Sequence, residues 1–217
     1  MAAIIPTIGS MLDDVGARDM FERIGGIGAL QETLVAAFVS VGAVVVSCFA
    51  VSVISHGGSD EHDGRTEEVL ATATERSTAF LAVALVALGG VAWLLVVTGL
   101  AMGVGATGSE VGFGDCLQAA LVQLPAVAVV AGLALLGLAQ GSRYAVAGWG
   151  VVVVFFVIGP VAELLELPAW VAGLSPYSHV PKVPAEAMDW TPVLVLAAIT
   201  VVLVATAWWR YRERDIG

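Results

Sequence analysis

Charge is what this sequence has least of. Asp, Glu, Lys and Arg make up 13% of its 217 residues, while 59% are hydrophobic and the mean hydropathy is +0.93. Ordinary soluble domains carry roughly 25% charged and 45–50% apolar residues. A chain this poor in charge cannot cover a water-facing surface, so lipid has to be the missing solvent. Bases are scarcer than acids, nine against nineteen, which gives a net charge of −10 and a pI near 4.5. That balance argues against nucleic-acid partners, whose phosphates need basic surface, and against a surface built to cling to anionic lipid. Cysteine is almost missing. Cys48 lies inside one apolar run and Cys116 is expected in a loop beyond another, at a different depth, which argues against a disulfide. No Cys/His cluster has zinc spacing, and the N-terminus lacks the basic start of a signal peptide, its first base being Arg18. There is no Gly-x-x-x-x-Gly-Lys-Ser/Thr phosphate loop and no internal repeat.

What is present is long apolar runs. A spanning helix needs about 20 mostly apolar residues, because it rises 1.5 Å per residue across roughly 30 Å of hydrocarbon. Thr33 to Ile54, Thr78 to Val104, Leu117 to Ala139 and Thr191 to Trp209 meet that length, and Tyr144 to Ala162 is slightly shorter. None of the five holds a charged residue. Their backbone groups must be paired internally, and run length without two-residue alternation favours helices over a barrel. The expected fold is therefore all-α: a polytopic membrane bundle of about five transmembrane helices at 33–54, 78–104, 117–139, 144–162 and 191–209. Residues 1–31 form an N-terminal segment and residues 32–217 the transmembrane domain.

The bases set the orientation, since cytoplasmic loops are enriched in Lys and Arg. Arg65, Arg76, Arg143, Arg210, Arg212 and Arg214 fall on one side, against Arg18, Arg23 and Lys182 on the other. The expected chain is multi-pass in the cell membrane, with its N-terminal segment extracytoplasmic and its C-terminus cytoplasmic. Trp208, Trp209 and Tyr211 fit an inner aromatic belt, and Trp170 and Trp190 an outer one.

Two connections are too long for simple turns. Ser55 to Ser77 starts as a polar Gly/Asp/His stretch and then reads as a short cytoplasmic helix over residues 64–76. Thr66 caps it, Glu67 and Glu68 sit in its first turn, and Arg76 lies near its end, an order that suits the helix dipole. Val69, Leu70 and Ala73 share one face, which suits docking on a soluble partner. Residues 163–190 read as short amphipathic helices at the outer interface, or partly re-entering it, with Leu164, Leu165 and Leu167 alternating with Glu163 and Glu166 ahead of Pro168.

Ionisable residues within a membrane mark proton relays, ion sites or catalysis, and the helix centres hold none. The notable groups at depth are Gln123 and Pro125. Pro125 frees a backbone carbonyl and is expected to kink the third helix, while Gln123 either lines a translocation path or bonds to a neighbouring helix. His56-Gly-Gly-Ser-Asp-Glu-His62-Asp63 reads as a solvated loop in preference to a metal site, because its candidate ligands share no known spacing. Ser178 and His179 read as a structural turn in preference to a nucleophile and base, since neither an acid partner nor an oxyanion loop is visible. Gly99-x-x-x-Gly103 and Gly137-x-x-x-Gly141 permit close helix approach but are weak signals.

Several stretches carry a family likeness. They are Gly64-Arg65-Thr66-Glu67-Glu68-Val69-Leu70-Ala71-Thr72 with Arg76, then Gln123-Leu124-Pro125-Ala126, Leu174-Ser175-Pro176-Tyr177-Ser178-His179-Val180-Pro181, and Arg212-x-Arg214-Asp215-Ile216. With these in this order, the chain from about Gly25 onward resembles the permease subunits of ABC-2-type exporters, in particular the two-repeat permeases for antibiotics or polyketides. The resemblance implies six spans per half, of which Thr33 to Ile54 would be the second. It also makes the stretch around Gly64, Arg65, Glu67, Glu68, Val69, Leu70, Ala73 and Arg76 a coupling helix pressed by a separate ATP-binding subunit. A second permease half or a homodimer would complete the path, with Gln123 and Pro125 beside it. On this expectation the chain is a transport subunit and no enzyme, holds no cofactor, and leaves ATP to its partner. Two other classes stay open: a membrane hydrolase using His179, and a non-catalytic scaffold or accessory subunit.

Overall fold

The computed structural model of the chain describes residues 26–62, 76–107, 111–141, 144–162, 165–166 and 168–213. Every regular element among them is helical. In chain order these are α1 (Gly26–His62), α2 (Arg76–Gly105), α3 (Phe113–Val122), α4 (Leu124–Gln140), α5 (Ala147–Ile158), α6 (Ala169–Ala172), a 3-10 turn (Pro176–His179) and α7 (Trp190–Glu213). Five hydroxyls within the long apolar helices fold back onto their own backbone. Ser40 donates to the Ala36 carbonyl, Ser47 to Ala43, Thr98 to Leu94, Thr200 to Leu196 and Thr206 to Val202. Each is thereby satisfied without water, as hydrocarbon requires.

Among the described residues four helical stretches are long and apolar enough to cross a membrane: Gln31–Ser59, Ser77–Gly105, Phe113–Gln140 and Trp190–Glu213. The fifth expected span is shorter in the structure. Its helix, α5, has 12 residues and reaches only about 18 Å at 1.5 Å per residue. Gly159-Pro160 ends it: the proline ring brings no N–H and disfavours helical geometry in the residue before it. Beyond that point the chain turns, with Val161 N–H donating to the Phe156 carbonyl (3.3 Å) and Ala162 N–H to Gly159 (3.0 Å).

Helix contacts give an alternating up-and-down order. Gly42 of α1 faces Thr98 of α2, Gly90 faces Phe49 and Gly57 faces Val83, so α1 and α2 run antiparallel. Gly99 meets Leu117 and Gly103 meets Phe113, which sets α3 antiparallel to α2. The end where α1 starts is here the upper end, and the end where it stops the lower. Phe80 at the start of α2 stacks on Tyr211 at the end of α7, with ring centroids 5.0 Å apart, so these two helix ends meet at the lower side. Arg76 begins α2 there, and Arg210 and Arg212 close α7 there.

The core is centred on α4, whose Ala126, Val127, Val130, Ala131, Ala134 and Leu135 are sealed between its neighbours. The periphery is the reverse of a soluble protein. Leu85 is 72% exposed, Trp93 67%, Val45 65% and Val201 67%. Water would penalise so continuous an apolar surface, and lipid does not.

Two expectations change. The stretch from His56 reads as a solvated loop in sequence, but α1 continues through His62. Its polar groups bond within the helix: the Ser59 hydroxyl donates to the Ser55 carbonyl (3.1 Å), and His56 Nδ1 donates to Ser52 (2.7 Å). A side chain at Gly57 would come within 2.9 Å of Val83, so this glycine serves close helix packing where the sequence reads it as a turn. Cys116 likewise lies in α3 and not in a loop, because Asp115 accepts from the Gly112 N–H (3.0 Å) and starts the helix ahead of it. Both cysteines are free.

Candidate functional site

The break between α3 and α4 organises the site. Pro125 sits in the first turn of α4, where its missing N–H costs nothing, and Gln123 joins the two helices. The break is confined to one residue that keeps helical dihedrals: Gln123 N–H donates to the Ala120 carbonyl (3.2 Å), and the Gln123 carbonyl accepts from Val127 (3.1 Å), so Phe113–Gln140 remains one helical span. The two residues singled out in sequence then part company. Gln123 is 5% exposed and turns toward α1, where Nε2 donates to the Ser40 hydroxyl over a long 3.4 Å. Its Oε1 is buried with no hydrogen-bond partner. Pro125 instead lines a cavity.

That cavity has a volume of about 450 Å³. Its walls are Gly114, Leu117, Gln118 and Leu121 of α3, then Val122, Leu124 and Pro125 at the break, with Met188, Trp190 and Val193 from the start of α7 and its approach. Its lining belongs to the upper part of the bundle, and Leu121 and Trp190 within it are exposed. The Gln118 amide is the only hydrogen-bonding side chain on an otherwise apolar wall apart from the Trp190 indole. Of these lining residues the sequence singles out Pro125, and Trp190 only as a belt residue; Met188 and Val193 reach this wall from more than 60 residues away along the chain.

A second feature reaches deeper. The segment expected at the outer interface folds inward after α6. Tyr177 and Ser175 are buried, and the Tyr177 hydroxyl meets Ser47 Oγ at 2.6 Å. Ser47 already donates its one proton to Ala43, so Tyr177 must be the donor in this pair. Ser47 lies about two residues past the centre of the span Gln31–Ser59, hence about 3 Å from its midpoint. Ser175 Oγ donates to the Phe155 carbonyl of α5 at 3.0 Å. Ser175 and Tyr177 are thus packed against α5 and α1.

Ser178 and His179 are used locally. The Ser178 hydroxyl lies 2.6 Å from the Ala172 carbonyl and 2.7 Å from that of Ser175, while His179 Nε2 donates to Gly173 at 2.7 Å. These bonds tie the 3-10 turn to α6 and orient neither side chain toward the other. Among the described residues no group of three or more His, Cys, Asp or Glu is gathered as for a metal ion. At the lower end Arg212 lies over the Trp208 ring, 4.8 Å from its centroid. Tyr211, expected in a lipid-facing belt, is buried against Phe80. Trp209, Trp170 and Trp190 are exposed as a belt requires. The residues expected to form a coupling helix, Gly64, Arg65, Glu67, Glu68, Val69, Leu70 and Ala73, lie outside the described residues; Arg76 opens α2.

A family model described as "Multidrug efflux system permease Rv1217c, C-terminal domain" matches residues 1–212. The chain is also 34% identical over 226 residues to the multidrug efflux system permease protein Rv1217c of Mycobacterium tuberculosis (strain ATCC 25618 / H37Rv). The match takes in 100% of this chain and 40% of that protein, so the chain spans about two fifths of its relative's length.

Proposed function

The chain belongs to the family of the C-terminal domain of multidrug efflux system permease Rv1217c, and from that premise we propose that it is the membrane-spanning permease component of an ATP-driven exporter of the ABC-2 type. It moves a hydrophobic or drug-like cargo out of the cell. The observation that carries this reading is a bundle with an apolar outer surface and no Asp, Glu, His, Lys or Arg in its five apolar runs. Such a bundle has no proton or ion relay to power uphill movement, so the energy has to come from a partner.

In this account a separate subunit binds and hydrolyses ATP, and no cofactor is held by the chain itself. The partner presses on the stretch Gly64 to Arg76, where Val69, Leu70 and Ala73 give it an apolar face and Arg65, Glu67 and Glu68 a polar rim. Lying between α1 and α2, that stretch transmits a push to both helices at once. ATP shifts the balance between inward-open and outward-open states only by as much as its binding favours one of them. The lower end is cytoplasmic, in keeping with Arg76, Arg210 and Arg212, and the upper end faces out of the plasma membrane. A second permease half or a second copy of the chain completes the path beside Pro125 and Gln123.

The test is the coupling face. Leu70→Asp should leave the protein in the membrane yet remove its stimulation of the partner's ATPase. Unchanged co-purification with unchanged ATPase activity sinks the proposal.

A further inference from the structure

We propose that the outward side of α2 around Gly89 and Trp93 is a contact surface for a second copy of the chain. Tryptophan belongs at the edges of a membrane, because its ring is apolar while its indole N–H needs an acceptor that hydrocarbon does not offer. Five of the six tryptophans obey this. Trp149 stands in the first turn of α5, Trp170 in α6, and Trp190, Trp208 and Trp209 at the two ends of α7. Trp93 does not. The span Ser77–Gly105 has its midpoint at residue 91, so Trp93 lies about 3 Å from the centre at 1.5 Å per residue. It is 67% exposed, and among the described residues nothing accepts a hydrogen bond from its indole. Left in hydrocarbon, that donor carries the cost of an unmade bond. A partner helix with an acceptor at mid-depth removes the cost.

Gly89 identifies the partner. It stands one turn before Trp93 on the same exposed side of α2. Other glycines of this helix are occupied by neighbours: Gly90 faces Phe49, Gly99 faces Leu117 and Gly103 faces Phe113. A side chain at Gly89 would meet nothing within 4 Å, the Trp93 ring of its own helix included. The fold of one copy therefore has no need of a glycine here, and the notch stays open. Helix carbonyls beside it are uncovered, each bonded once along the helix and keeping a second lone pair. One face thus carries a bulky donor and a notch with acceptors, the two halves of a self-complementary contact. Two copies inserted with the same orientation are related by a two-fold axis along the membrane normal, which runs their α2 helices parallel and sets equal residues at equal depth. Side chains on a helix lean toward its N-terminus, so the Trp93 ring of one copy comes level with Gly89 of the other. Each copy inserts its ring into the other's notch, flanked by the exposed Leu85, Val86 and Val97. No residue of α2 lines the cavity between α3 and α7, so this contact is separate from that cavity and stands whatever the bundle moves.

Resonance energy transfer between donor- and acceptor-labelled copies of the whole chain tests this in phosphatidylcholine vesicles. The labels sit at Glu213→Cys in a background without Cys48 and Cys116. Transfer should exceed that of randomly placed proteins at the same density and fall as lipid dilutes the copies. Trp93→Phe, which keeps a ring and loses the N–H, should weaken association about threefold. Trp93→Ala and Gly89→Leu should each weaken it about tenfold or more, while Val201→Ala on the exposed side of α7 leaves it unchanged. A mixture of Trp93→Ala with Gly89→Leu should associate better than either variant with itself, because one intact ring still meets one intact notch. Thermal unfolding in detergent confirms that the variants fold. Transfer no greater than random, or indifferent to both Trp93→Ala and Gly89→Leu, overturns the proposal. So does a mixture that associates no better than its parents. It is equally overturned if Gly89→Leu displaces a bound lipid or a different subunit while transfer between copies is unaltered, since the face then belongs to that occupant.

Discussion

At the scale of single residues the Tyr177–Ser47 pair is the most informative, because its two halves are not equivalent. Ser47 keeps its bond to the Ala43 carbonyl whatever happens to Tyr177. Tyr177 has Ser47 as the acceptor for a buried hydroxyl. Ser47→Ala therefore strands a buried donor and should cost about 1–3 kcal/mol, whereas Tyr177→Phe should cost about 1 kcal/mol or less. Equilibrium unfolding in mixed micelles measures both, and a larger loss for Tyr177→Phe would contradict the assigned direction of the bond. Nothing in the sequence shows this pair, since its partners stand 130 residues apart. Gln123 is a contrasting case. Its position in an apolar run marks it as unusual, yet the direction in which its amide turns depends on Ser40 in a distant helix. Of the two residues expected beside a path, Pro125 is on the cavity wall and Gln123 is not.

At the scale of elements, what was legible is what local chemistry decides. Apolar length alone marks α1, α2, α7 and the α3–α4 pair as spans, and Pro125 marks the interruption between α3 and α4. Run length alone predicts a span over Tyr144 to Ala162, whereas Gly159-Pro160 within that run ends α5 after 12 residues. The stretch after Ser55 misled for the opposite reason: glycines that read as a loop are packing surfaces once α2 lies against them. The pair Gly99 and Gly103 behaves in the same way. A side chain at Gly99 would lie 2.9 Å from the Leu117 Cα, which is backbone and cannot rotate aside. Gly99→Leu should thus force α3 off α2 and lower stability by about 1–3 kcal/mol, with Gly89→Leu, which meets nothing within 4 Å, as a near-neutral control. Thermal unfolding in detergent checks both, and equal effects would contradict the close approach.

At the scale of the whole molecule the account rests on an inside-out bundle with two distinct ends. The upper end carries the inward-folding segment and the cavity mouth; the lower end carries Arg76, Arg210 and Arg212. In a background without Cys48 and Cys116, single cysteines at Lys182 and at Glu213 should react with a membrane-impermeant maleimide from opposite sides. Lys182→Cys labels in intact cells, and Glu213→Cys labels only after the membrane is opened. Labelling of both from outside would invalidate the orientation.

The central claim is that this bundle moves cargo with energy delivered by an ATP-binding partner. Its most direct test is ATP-dependent flux of a fluorescent hydrophobic, drug-like probe in sealed proteoliposomes holding the protein together with that partner. The account predicts flux that requires ATP and both proteins, and that falls to background with Leu70→Asp while the bundle stays folded. Flux that proceeds without ATP hydrolysis, or an ATPase that turns over undisturbed while no cargo moves in the unaltered protein, would contradict it.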